Sequence, residues 1–297
     1  MVLDRSGGFR IGVIGDLHSH WDDWDLAHFD RSEYDVLLFT GDLGGGTPGS
    51  GMNVAKSISR LRRPTLVMPG NNDAADIARL SAEFGHQRGL SRILGSNPPD
   101  DTHASSAGEA RLCGYSLHRL RTRDVDVTVV TARPHSLGGP ELTFAKLLEQ
   151  THGVGSIDES SLRLTELIDR AETEKLIFLS HNGPTGFGSN PADMWGCDFK
   201  PGGGDWGDPD LAHAIDYARR IGHEVLAVIA GHMHLRTKQG QERPWMREWN
   251  DTLYINAARV PRITSERGEV YRHHVSVRIE ADAIEADEVF VAQDGSG

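Results

Sequence analysis

The chain is predicted to be an α/β protein, on three observations. Short β-branched apolar runs recur from Ile11 to the region of Ile255. Segments with helical spacing separate the early runs. Most of these runs lead into Asp, Asn or His, four of them through a Gly. Runs of about four to eight such residues bounded by turn residues read as buried strands, and their alternation with helices builds a sheet covered by helices. In open α/β sheets, ligands gather beyond the carboxyl ends of the strands. The residues that close these runs are therefore the candidate functional residues.

Taken in order, Ile11 to Ile14 forms the first strand and leads into Gly15-Asp16-Leu17-His18. A helix is expected near residues 21–28, where the acidic run Asp22-Asp23-Trp24-Asp25 suits a solvated helix start. Val36 to Thr40 is the second strand and leads into Gly41-Asp42. A second helix is expected over 52–62, its end marked by Arg60, Arg62 and Arg63, because cations suit the negative end of a helix dipole. Thr65 to Pro69 leads into Gly70-Asn71-Asn72-Asp73, and a third helix is expected over 74–84. Ser96-Asn97-Pro98-Pro99-Asp100-Asp101 marks a loop, and residues 111–131 alternate enough to predict a hairpin. Segments 142–151 and 159–173 have helical spacing, the second with Leu162, Leu164, Leu167 and Ile168 on or near one face. Leu176 to Ser180 leads into His181, Val225 to Ala230 into Gly231-His232-Met233-His234, and Leu253 to Ile255 into Asn256. Val275 to Ile279 and Ile284 to Val291 close the chain as a hairpin, followed by a tail at 293–297 expected to be disordered. With no internal repeat, residues 1–297 read as a single domain.

Composition narrows the classes. A net charge of −12 argues against an extended nucleic-acid surface, which needs a basic footprint over several phosphates. No stretch approaches the length of a membrane span, and the first eight residues lack the apolar core of a secretory signal. Cys113 and Cys197 are too few for a disulfide framework. A cytoplasmic protein is expected, or an organellar one after processing.

Asp16, His18, Asp42, Asn71, His181, His232 and His234 all close strands, and so should meet along one edge. Oxygen and imidazole donors without thiolate suit Mn, Fe, Zn or Mg. The set is too large for a single ion that keeps open positions, and suits two divalent ions if one carboxylate bridges them. Two such ions can clamp the attacking and leaving oxygens of a phosphoryl displacement.

These motifs, Asp16-x-His18, Gly41-Asp42, Gly70-Asn71, His181 and Gly231-His232-x-His234, resemble in content and order those of the calcineurin-like metallophosphoesterase superfamily. The resemblance implies a four-layer αββα sandwich of two mixed sheets flanked by helices. It further implies that Asp16, His18 and His234 hold a first metal, that Asn71, His181 and His232 hold a second, and that Asp42 bridges. A metal-bridging hydroxide would be the nucleophile and a small phosphate ester the substrate.

One departure stands out. Where the family usually has Gly-Asn-His-Asp or Gly-Asn-His-Glu, this chain has Gly70-Asn71-Asn72-Asp73. The family's His is thought to protonate the leaving group, and an Asn amide can donate a hydrogen bond but cannot deliver a proton at neutral pH. His20, two residues beyond His18, is a candidate replacement, so Asn71, Asp73 and His20 form the candidate catalytic group. Asn72, Arg133, His135, Asn256 and Arg259, also at turns or strand ends, are candidate substrate contacts. Trp195, Phe187 or Trp206, in a long loop at 183–209, could stack on a base or an aromatic leaving group, and the loop from Arg243 to Trp249 could form the opposite wall. Without the expected acid, a phosphodiester or an activated monoester is favoured. A phosphomonoesterase acting on a nucleotide or sugar phosphate is the alternative, followed by a non-catalytic adaptor on the same fold.

Overall fold

The structure is a computed structural model that describes residues 1–93 and 110–293. The loop expected at 96–101, and the tail beyond Gln293, lie outside the described residues.

Two sheets form. The first contains β1 (Phe9–Ile14), β2 (Val36–Phe39), β3 (Thr65–Val67) and β4 (Ala110–Leu112), joined by β11 (Ile263–Glu266), β12 (Glu269–Ile279) and β13 (Ile284–Ala292). Its order is β11-β12-β1-β2-β3-β4, with β13 pairing β12. The second contains β5 (Ser116–Arg121), β6 (Asp126–Thr131), β7 (Lys175–Leu179), β8 (Glu224–Ala230), β9 (Met246–Trp249) and β10 (Thr252–Asn256), in the order β5-β6-β7-β8-β10-β9. Both are mixed. β1 to β4 run parallel with β12 antiparallel beside β1, and β6-β7-β8-β10 run parallel between antiparallel edges.

The continuous apolar runs follow from burial on both faces, because successive strand residues point to opposite sides. Val36 and Leu38 enter the core between the sheets, whereas Leu37 and Phe39 meet α1 (Asp23–Arg31), α2 (Met52–Ile58) and α3 (Ile77–Ile93). In the second sheet, Ile177 and Leu179 face inward while Leu176 and Phe178 pack under α5 (Ile157–Asp169) and α6 (Pro209–Arg220). The α4 helix (Ala145–His152) adds Leu148 to this outer core. The four layers are helices, sheet, sheet and helices, as expected.

Several boundaries differ from expectation. The α2 helix ends at Ile58, so the arginines lie beyond it, where Arg62 grips Asp30 at 3.0 Å. Residues 71–76 form a 3-10 turn before α3. Residues 110–112 belong to the first sheet, and only β5 and β6 make the hairpin. The α6 helix was not expected. The acidic run before α1 is not wholly solvated: Asp22 caps the helix, but Asp25 is buried between Arg262 (2.9 Å) and Arg272 (2.6 Å). Among the described residues, no helix is long and apolar enough to cross a membrane.

Candidate metal centre

Asp16, Asp42 and Asn71 follow the parallel strands β1, β2 and β3, while His181 and the His232–His234 pair follow β7 and β8 of the facing sheet. Their donors form two sets. Asp16, His18 and His234 lie within 4.8 Å of one another, as do Asp42, His181 and His232. Asn71 joins the second set, its Oδ1 2.9 Å from His181 Nε2. Asp42 faces both: one oxygen lies 3.5 Å from His181 Nε2 and the other 3.8 Å from His18 Nε2.

The local backbone is built for this approach. His18, Asp42 and His232 all have positive φ, a conformation that costs a non-glycine residue and persists only where its surroundings impose it. Gly231 must lack a side chain, since a Cβ would lie 2.3 Å from Asp16 Oδ1. At Gly70 a Cβ would lie 2.2 Å from Asp42 Oδ1. Backbone carbonyls then set the rings. His181 Nδ1 lies 2.6 Å from the Thr40 carbonyl, which assigns that nitrogen the proton and leaves Nε2 a lone pair facing Asn71 and Asp42. His232 Nε2 is likewise 3.2 Å from the Leu137 carbonyl.

The electrostatics fit a cation. Asp16, Asp42 and Asp73 are each at most 3% exposed, and among the described residues no Arg or Lys pairs with any of them. Burial, then the charge of Asp16, pushes Asp42 up to about 7. Burial, then Asp42, does the same for Asp73. Asp16 stays below the usual carboxylate range: burial opposes its charge, but His181, His234, His18 and the His232 N–H outweigh it. Burial and the neighbouring His181 lower His232 to about 3, and burial also lowers His234, so both offer lone pairs. Clustered carboxylates and unprotonated imidazoles without a protein cation are a donor set suited to divalent metal.

The other sequence candidates divide. His20 is exposed at the rim, on the turn that carries His18, with Nδ1 3.2 Å from the Leu17 carbonyl. Asn72 lies in the site, donating to Asp42 through its backbone N–H (2.9 Å) and its amide (2.8 Å). Asp73 accepts from the backbone of Leu43 (3.0 Å) and Gly70 (2.8 Å), so it ties the β2 and β3 turns together. His135 is buried behind Asn71 with Nδ1 2.8 Å from the Gly70 carbonyl, and burial lowers it to about 4.

Three candidate substrate contacts are committed elsewhere. Arg133 is 1% exposed and bound to Asp208 and Asp210, each at 2.8 Å. Arg259 pairs with Glu288 at 2.6 Å and Glu242 at 3.4 Å. Asn256 donates to the carbonyls of Met233 (2.7 Å) and Met194 (3.3 Å), holding the turn and the loop in place. Trp195, Phe187 and Trp206 are buried and pin the 183–209 loop to the outer core. In the expected opposite wall, Arg243 is buried instead: it donates to the His234 carbonyl at 2.5 Å and the Gly196 carbonyl at 2.8 Å. The orienting carbonyls of Thr40 and Leu137 carry no side-chain signal a sequence could reveal.

The family model for calcineurin-like phosphoesterases matches residues 9–236, a stretch that contains every candidate metal donor. Among solved structures, TT1561 of Thermus thermophilus overlays with a TM-score of 0.53 at 12% identity, covering 94% of this chain and 98% of that one. A conserved uncharacterised protein of Streptococcus pneumoniae, described as a predicted phosphoesterase, overlays at 0.32 with 11% identity, covering 97% of this chain and 100% of the other. A search of curated proteins gives no match. The chain belongs to the calcineurin-like phosphoesterase family.

Proposed function

We propose that this protein is a hydrolase using two divalent ions to cleave a small phosphate ester, with a diester or an activated monoester preferred. The observation that carries this reading is the position of Asp42, whose two oxygens face one donor set each. When bound, two ions would supply an acidified water as nucleophile and neutralise charge on the phosphoryl oxygens.

The chain's own residues supply positioning. Asp16, His18 and His234 would hold one ion, Asn71, His181 and His232 the other, with Asp42 between. Thr40 and Leu137 orient two of the rings through their carbonyls. Asn72 secures Asp42 and offers no proton for a departing alkoxide, which is why good leaving groups are favoured. His20, exposed beside His18, is the candidate to deliver that proton.

Elemental analysis of the purified protein, together with hydrolysis of bis(p-nitrophenyl) phosphate and p-nitrophenyl phosphate, tests the reading. About two ions per chain and faster diester turnover are expected. Faster monoester turnover would favour a phosphomonoesterase, and bound metal without turnover of either ester would favour a non-catalytic adaptor.

A further inference from the structure

The buried aromatic residues of the 183–209 loop leave one ring of that loop in solvent. Phe199 is 38% exposed and sits edge-on to Trp206, with ring centroids 5.5 Å apart. Two tethers link its segment to the Gly231–His234 turn. On one side, Trp206 Nε1 donates to the Leu137 carbonyl at 2.8 Å, the same carbonyl that lies 3.2 Å from His232 Nε2. On the other, the neighbouring Asp198 lies 3.4 Å from Arg243, which holds the His234 carbonyl. The Phe199 segment is thus linked through Trp206 to the carbonyl beside His232, and through Asp198 and Arg243 to the backbone of His234.

Lysines gather around it. The chain has only five lysines against a net charge of −12. Two of them meet here: Lys200 Nζ lies 5.0 Å from the Trp206 ring centroid and Lys238 Nζ 5.7 Å from that of Phe199. Both side chains are exposed, so each can donate to oxygen acceptors carried by a ligand. An isolated surface phenylalanine needs no explanation. A ring with two lysines about it, in a segment tethered to a phosphoesterase-type donor set, has the elements of a base-stacking platform.

Building on the proposed phosphoesterase activity, we infer that the substrate is a nucleoside-bearing phosphate ester, whose base stacks on Phe199 while Lys200 and Lys238 bind its oxygen acceptors. The metal-loaded full chain would be assayed with the p-nitrophenyl ester of thymidine 5′-monophosphate and with ethyl p-nitrophenyl phosphate. Both release the same leaving group, so their kcat/KM ratio isolates recognition of the nucleoside. Phe199→Leu is expected to lower that ratio about five- to tenfold, the lower end of the range for one stacked base, and Phe199→Tyr to preserve it. Calorimetry with thymidine 5′-monophosphate and inorganic phosphate supplies a second readout, in which Phe199→Leu weakens only the nucleotide. An unchanged ratio and an unchanged nucleotide affinity in Phe199→Leu would overturn the assignment. If neither ester is turned over, the hydrolase reading falls, and the nucleotide titration alone decides whether Phe199 stacks on a base.

Discussion

Asn72 donates to both oxygens of Asp42, through its backbone N–H at 2.9 Å and its side-chain amide at 2.8 Å. The residue at the family's usual acid position therefore works on the carboxylate between the two donor sets. Groups that orient a metal ligand typically matter about 10–100-fold in metal affinity or activity. Asn72→Ala is accordingly expected to weaken metal binding by about that factor with little effect on folding. A chelator competition titration checks this, and an unchanged affinity would make the amide contact incidental.

The same residue governs leaving-group preference. With no proton donor at Asn72, rates across a series of substituted phenyl esters should depend steeply on leaving-group pKa once His20 is replaced by Ala. Asn72→His should flatten the dependence. A shallow slope in the unmodified protein would mean that another residue already delivers the proton.

Asp42 is the carboxylate whose oxygens face both His18 and His181. Removing its charge should cost both ions. Asp42→Asn is expected to lower the metal content of both sites together, and elemental analysis showing the full complement would refute the bridging assignment.

Arg133 gives a contrasting expectation. Its guanidinium is buried against Asp208 and Asp210, and Ser136 also donates to Asp208 at 2.6 Å. Breaking a buried ion pair from one side strands its partner charge and costs about 3–5 kcal/mol. Arg133→Met should therefore lower the unfolding temperature markedly, with no loss specific to phosphate binding. Thermal unfolding set beside KM distinguishes this from a substrate contact, which would raise KM in a protein of unaltered stability.

The contrast between Asp42 and Arg133 shows what the sequence carried. Every metal-donor candidate ends a strand buried on both faces, so an unbroken apolar run announces it and the turn fixes its direction. Arg133 and Arg259 also follow strands, but their acidic partners lie far along the chain, at Asp208, Asp210 and Glu288. No local pattern distinguishes a guanidinium that meets a ligand from one that meets a distant carboxylate. The α6 helix did carry a start signal, Asp208 followed by Pro209 at the first turn. The glycine-rich loop before it extends the turn pattern to the same point and masks that signal. The aromatic residues of that loop were legible as a group. Which ring stays in solvent depends on packing against α6 and the Leu137 carbonyl, and so only the fold could single out Phe199.

His20 is the remaining candidate for the missing acid. Its turn is held by the backbone: its N–H donates to the Leu17 carbonyl at 2.7 Å, and its own carbonyl accepts from Arg262 at 3.0 Å. Neither bond needs the imidazole, so His20→Ala should leave the turn and the His18 ligand in place. Histidine is the side chain suited to proton transfer near neutrality, and general acid help is typically worth about 10²–10⁴-fold. His20→Ala is therefore expected to lower kcat by at least about 10²-fold on alkyl esters, which need a proton on the departing oxygen. Nitrophenyl esters, whose leaving groups depart as anions, should be hydrolysed at close to the original rate, with metal content intact. Equal losses on both ester types, or a lost ion, would show that His20 supports the metal site. No loss on either would leave it as a loop histidine and send the search for the proton donor back to solvent.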